Sequence, residues 1–79
     1  MERSEIEKKM TEVLTSVLKH QNFEIRDDLT AAEVEGWDSL NHMVIISEIE
    51  EKFDIKFKLR DLNKLKNMGS LIELIQSKL

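Results

Sequence analysis

Apolar residues in the first twenty positions recur at intervals of three and four: Ile6, Met10, Val13, Leu14 and Val17, with Leu18 beside them. That spacing gathers them on one face and predicts an amphipathic helix of about four turns from about Ser4 to Lys19. Ser4 followed by Glu7 fits a capping box at its start. Glu5, three and four residues before Lys8 and Lys9, supports the exposed face through helix-spaced ion pairing. From 20 to 37 the period disappears. Phe23, Ile25, Leu29, Val34 and Trp37 are spaced apolar anchors among turn and capping residues such as Asn22, Asp27, Asp28 and Thr30. Thr30-Ala31-Ala32-Glu33 fits a second capping box and predicts one short turn. A bare loop of this length is rare in so small a chain, so the anchors make the segment a layer of the core.

Periodicity returns at 38. Leu40, Val44, Ile49 and Phe53 lie near one face of a helix from Asp38 to Phe53, and Met43, Ile45 and Ile46 widen that face. An arc this broad exceeds what one buried side needs, so the helix sits between neighbours or turns part of its apolar surface toward a partner. Asp38 is placed to cap it, with Ser39 at the first helical position and Gly36 supplying an unhindered turn. The residues 54–57 read as extended loop. Leu59, Leu62 and Leu65 predict a short helix over 59–65. Asn67 caps a last helix that buries Leu71, Leu74, Ile75 and Leu79, with Ile72 flanking and Gly69 and Ser70 in its first turn. The expected fold is all-α: a small four-helix bundle of three main helices plus one short helix, with a long connection between the first and second.

Composition narrows the function. Seventy-nine residues are enough for one small domain over 1–79. There is no cysteine and no proline, glycine occurs only at Gly36 and Gly69, and His20 and His42 are the only histidines. Disulfides and thiolate metal sites are thereby excluded, helices are favoured over turn-rich strands, and the core rests on apolar packing alone. A large enclosed pocket is not expected at this size. The longest apolar run, Met43 to Ile46, is far too short for a membrane span, and the N-terminus does not read as a signal peptide, so a cytoplasmic location is expected. The formal net charge of −4 hides an uneven distribution: the first twenty residues balance, 21–55 are strongly acidic, and 56–79 are basic. The acidic middle disfavours nucleic acid and suits partners with basic patches.

Enzymatic readings fail on geometry. Asp38, Ser39 and His42 superficially resemble a hydrolytic triad. Ser39 and His42 are three apart on one helix, however, Asp38 serves as its cap, and no oxyanion hole is marked. Glu50 and Glu51 lack an enclosing site, and two glycines make no phosphate loop. A DNA-recognition helix over 38–53 would carry Asp38, Glu48, Glu50 and Glu51 against Lys52, which phosphate would repel. Ser39 itself has a chemical use. At a helix start, backbone N–H groups and the positive helix end stabilise an attached phosphodiester, and Leu40 and Met43 supply an apolar landing area beside it.

Gly36-Trp37-Asp38-Ser39-Leu40 resembles the attachment motif of phosphopantetheine-dependent acyl carrier proteins, whose core is Asp-Ser-Leu. Ile49-Glu50-Glu51-Lys52-Phe53-Asp54-Ile55 resembles the acidic end of the family's second main helix and the turn after it. Met68-Gly69-Ser70-Leu71 to Ile75 resembles its last helix. The resemblance covers essentially the whole chain and fits a free-standing bacterial carrier. It implies a 4'-phosphopantetheine arm on Ser39, and Asp38 recognised by the phosphopantetheinyl transferase that installs the arm from coenzyme A with magnesium. Leu40, Met43 and Val44 would dock on partner enzymes. Glu48, Glu50 and Glu51 would meet basic patches on acyl-loading and acyl-transfer enzymes. The helix near Leu62 would help frame the arm and its cargo. The implied chain is a monomer and not an enzyme, and it holds acyl groups as thioesters in fatty-acid, polyketide or related specialised biosynthesis. An unmodified carrier-like adaptor is the alternative. Asn41, His42 and Val44 stand where housekeeping fatty-acid carriers are often acidic, which points to a narrower partner set in a dedicated pathway. Trp37 is expected as a core anchor under the helix start, and His42 as a surface residue without a catalytic role.

Overall fold

The computed structural model describes all residues, 1–79. Four α-helices follow in order: α1 (Arg3–Leu18), α2 (Ser39–Phe53), α3 (Leu59–Leu62) and α4 (Met68–Lys78), with a 3-10 turn (Ala31–Glu33) in the long connection between α1 and α2. The all-α bundle expected from the sequence is the fold observed. No helix is long and apolar enough to cross a membrane.

Helix α1 buries Ile6, Met10, Val13 and Leu14 of the periodic set against the other elements, and at its end Leu18 is buried while Val17 is half-buried. It begins earlier than expected. Glu2 occupies the cap position without a side-chain bond, and Ser4 already lies inside the helix, so the Ser4–Glu7 capping box does not form. Glu7 is engaged instead by Arg3, whose Nε donates to it at 3.1 Å, and Arg3 also reaches Asp27 in the long connection. The pairing of Glu5 with Lys8 or Lys9 is likewise absent. Lys9 turns inward, with its Nζ 5.8 Å from the centroid of Phe53 on α2. The helix ends where Lys19 adopts a left-handed conformation (φ 65°) and its N–H donates to Thr15 O.

The long connection is a layer of the core, as its anchors predict. Leu29 and Val34 are buried, and Phe23, Ile25 and Trp37 pack against the same cluster. The Glu33 carboxylate returns to accept the Thr30 N–H at 2.9 Å, closing the predicted turn from one side. Two backbone bonds then bind the connection to α4: the Met68 N–H donates to Leu29 O at 2.7 Å and the Gly69 N–H to Asp27 O at 3.0 Å. Gly69 permits this approach, since a Cβ there would lie 3.1 Å from Asp27 O. At the α1 end, His20 Nδ1 accepts the Asn22 N–H at 3.0 Å, which leaves Nε2 to donate to Glu35 O at 2.7 Å. The segment leading to α2 is thus held from both sides.

Helix α2 faces the core with Ile45, Ile46, Ile49 and Phe53. Leu40 and Val44, placed on the core face by the sequence pattern, point to solvent together with Met43, so the broad arc splits into an inner and an outer half. After Asp54 closes α2 in a left-handed conformation (φ 55°), the chain runs extended. Helix α3 is shorter than the expected 59–65. Its hydrogen bonding tightens to i→i−3 spacing at Lys64 N–H to Asp61 O and Leu65 N–H to Leu62 O, which ends the α-helix at Leu62. Asn67 caps α4 by accepting the Ser70 N–H at 2.9 Å. Of its expected apolar side, Leu71, Ile72 and Ile75 are buried, Leu74 is half-buried and Leu79 lies beyond the helix end, exposed. Sixteen buried apolar side chains from all but α3 form one cluster, with no buried charged or polar residue among them.

Candidate functional site

Ser39 is the first residue of α2, and the chain before it is built to present it. Gly36 takes φ 85°, a conformation that side chains oppose. Its carbonyl accepts both the Asp38 N–H at 3.1 Å and the Asn41 Nδ2–H at 2.7 Å, which folds the loop back against the helix start. Asp38 caps the helix: its Oδ1 accepts the Asn41 N–H at 2.8 Å and its backbone carbonyl accepts the His42 N–H, also at 2.8 Å. A second tie crosses the same junction. The Trp37 Nε1–H donates to His42 Nδ1 at 3.0 Å, with the two rings stacked at 25° and their centroids 6.2 Å apart.

The Ser39 side chain is exposed and its hydroxyl makes no hydrogen bond within the protein. The N–H groups of Ser39 and Leu40 have no protein acceptor, whereas that of Asn41 is taken by the cap. A group esterified to Ser39 therefore sits at the positive end of a four-turn helix beside two free donors, an arrangement suited to a phosphodiester. Nucleophilic chemistry by a triad is not assembled here. Asp38 faces Asn41 and His42 Nδ1 faces Trp37, with no bond from either to the Ser39 hydroxyl.

Ser39 opens onto a shallow surface recess that it shares with Ala31, Trp37, His42 and Met43. Ala31, Trp37 and His42 also line a neighbouring cavity of about 80 Å³ whose far wall is Leu29, Leu65, Met68 and Leu71. The serine thus adjoins a small, mostly apolar crevice between the connection, α2 and the start of α4. Outward, Leu40 is 76% exposed, Met43 57% and Val44 41%, a contiguous apolar stretch on the first two turns of α2. Further along the helix Glu48 and Glu51 are exposed, but Glu50 turns back to accept the Phe57 N–H at 2.8 Å through Oε2. Glu50 is half-buried and pins the turn after α2, while still lining the open recess it shares with Glu51 and Asp54.

The model of the family described as "Phosphopantetheine attachment site" matches residues 8–75. The chain belongs to this family of acyl carrier proteins. Among solved structures, the carrier resembles the solution structure of a holo acyl carrier protein from Geobacter metallireducens, with a TM-score of 0.83 and 34% identity over 90% of this chain and 82% of that one. The prosthetic group of such a carrier is 4'-phosphopantetheine.

Three features of this carrier's site escaped sequence reasoning. His42, expected at the surface near the arm, does line the surface recess of Ser39 but is half-buried there and accepts the Trp37 indole N–H. His20 fastens the loop that leads to the serine, and Glu50 fastens the turn after α2. The five-residue offset between Trp37 and His42 carries the one usable signal. A loop residue just before a cap folds back onto the first turn of its own helix, which brings these two rings together.

Proposed function

We propose that this carrier holds acyl groups on a phosphopantetheine arm attached to Ser39 and presents them to partner enzymes of fatty-acid, polyketide or related specialised biosynthesis. The observation that carries the reading is the exposed, unengaged Ser39 hydroxyl at a capped helix start, inside the span matched by the family model. When bound, the arm supplies a thiol that holds its cargo as a thioester. The chain's own residues do the rest. Asp38 keeps the helix start in shape and gives the phosphopantetheinyl transferase a carboxylate beside the serine. The Ser39 and Leu40 N–H groups and the helix end favour the phosphodiester. Leu40, Met43 and Val44 form the contact surface for acyl-loading and acyl-transfer enzymes. Glu48 and Glu51 steer basic patches of those enzymes toward α2. His42 and Trp37 wall the crevice beside the serine and take no part in bond making.

The small crevice and the absence of acidic residues on the first turn of α2 favour a dedicated pathway over a broad housekeeping role. Because the sequence contains no cysteine, the arm brings the sole thiol of the loaded protein. Incubation with coenzyme A, magnesium and a broad-range phosphopantetheinyl transferase is expected to raise the thiol count from zero to one per chain. A folded chain that stays at zero supports the unmodified adaptor instead.

A further inference from the structure

The basic end of the chain is not used by the carrier reading. Lys56, Lys58, Arg60, Lys64 and Lys66 are all exposed. None of them has a carboxylate oxygen within 4.0 Å, the ion pairs of the fold being made by other cations. The one acidic residue in this stretch, Asp61, is engaged internally: its Oδ2 accepts the Lys58 N–H at 3.1 Å and faces Lys78 Nζ at 3.1 Å. Lys56 has Glu50, Glu51 and Asp54 nearby and Arg60 adjoins Asp61, but Lys58, Lys64 and Lys66 face solvent with no counter-charge, an arrangement that favours an acidic partner. Leu59 stands among them 76% exposed, on a helix with no fully buried residue.

The segment's two ends are fixed on the surface. Lys56 shares a recess with Glu50, Glu51 and Asp54 at the acidic end of α2. Lys66 lines the crevice that Trp37 and His42 join to the recess of Ser39. The basic stretch therefore runs from the acidic flank of α2 to the neighbourhood of the serine.

We propose that residues 56–66 form a second docking surface, with Leu59 at its apolar centre, for an acidic patch on a partner protein. A partner of this carrier would then present basic residues to α2 and acidic residues to the α3 segment, and the two signs together would fix its orientation over the serine. A protein suits this surface better than a membrane or nucleic acid. Either polyanion would meet Glu51 and Asp54 beside Lys56, whereas a protein alternates sign over such distances. Partners of uniformly acidic carriers would be rejected by the cations. The inference rests on the carrier reading for its purpose, and its test is kept separate from it.

The test uses two amphipathic helical peptides, each with a leucine face and either a Glu-rich or a Lys-rich polar face, titrated into the isotope-labelled full chain. The Glu-rich peptide is expected to shift the amide signals of 56–66, and the Lys-rich one those around Glu48, Glu51 and Asp54. The triple variant Lys58→Glu/Arg60→Glu/Lys64→Glu is expected to bind the Glu-rich peptide at least tenfold more weakly and the Lys-rich peptide no more weakly. The milder Arg60→Gln/Lys64→Gln variant is expected to fall between, which guards against a folding defect. Unmoved 56–66 amides, equal binding by both variants, or tighter binding of this segment to phosphatidylglycerol vesicles or duplex DNA than to the Glu-rich peptide would overturn the proposal. Thiol counting after transferase treatment of the triple variant reads the carrier assignment separately, because Ser39 is untouched.

Discussion

The Trp37 indole N–H donates to His42 Nδ1 at 3.0 Å, so the loop in front of Ser39 is bound to the helix behind it by side chains as well as by the cap. His42→Phe removes the acceptor and leaves a half-buried indole N–H without a partner. It is expected to cost about 1 kcal/mol of stability by urea unfolding. Emission of Trp37, the sole tryptophan, is expected to differ between the natural chain and His42→Phe at one fixed pH, because the indole loses its acceptor. Identical emission from the two chains would show that the bond does not shape the surroundings of the indole.

Gly36 separates backbone strain from crowding. A Cβ at this position would meet Leu18 Cδ2 at 3.5 Å, an ordinary contact, but φ 85° is unfavourable for any side chain. Gly36→Ala is therefore expected to destabilise by about 1–2 kcal/mol through the backbone alone. Chemical unfolding of the variant checks this, and an unchanged midpoint would mean that the loop relaxes freely.

Asp61 couples α3 to pH. The Lys58 backbone N–H, and after it Lys78, hold its carboxyl below the usual carboxylate range. A depressed folded value means that the interaction stabilises the fold above the ordinary carboxylate range and is lost as pH falls through the lowered value. Asp61→Asn is thus expected to unfold more easily than the natural chain near neutral pH. The gap between the two urea midpoints is expected to close in acid; a gap that stays constant with pH would contradict the assignment.

The two halves of the apolar arc on α2 are expected to respond differently. Met43→Glu lies on the outer half and should leave stability within about 0.5 kcal/mol of the natural chain while partner turnover falls. Ile45→Ala, two residues on, empties a fully buried position and is expected to cost about 2–5 kcal/mol. Paired unfolding and partner-turnover assays on both variants read the division directly.

These positions also show how far the sequence could be read. The spacing of Ile6, Met10, Val13 and Leu14 placed α1 and its buried face, because a single stripe on a helix has one way to face a core. Asp38 and Asn67 announced their helices as capping residues, and both cap them. On α2 the arc was too wide for periodicity to decide which half turned inward. Packing against α1 chose Ile45 and Ile46 over Leu40 and Val44. Ser4 was an adequate cap residue that lost its place to an earlier start, where Arg3 gains Glu7 and Asp27. The inner bonds of Glu50 and His42 are not legible in the sequence because their partners, the Phe57 N–H and the Trp37 indole, depend on how loops fold back, which no local period records.

The central claim is that the arm is carried by Ser39. Tandem mass spectrometry of the transferase-treated protein tests it most directly, since five other serines offer competing hydroxyls. A single phosphopantetheine group is expected on the peptide containing Ser39 and none on the treated Ser39→Ala variant. A modified Ser39→Ala chain, or an arm found on any other serine, would contradict it.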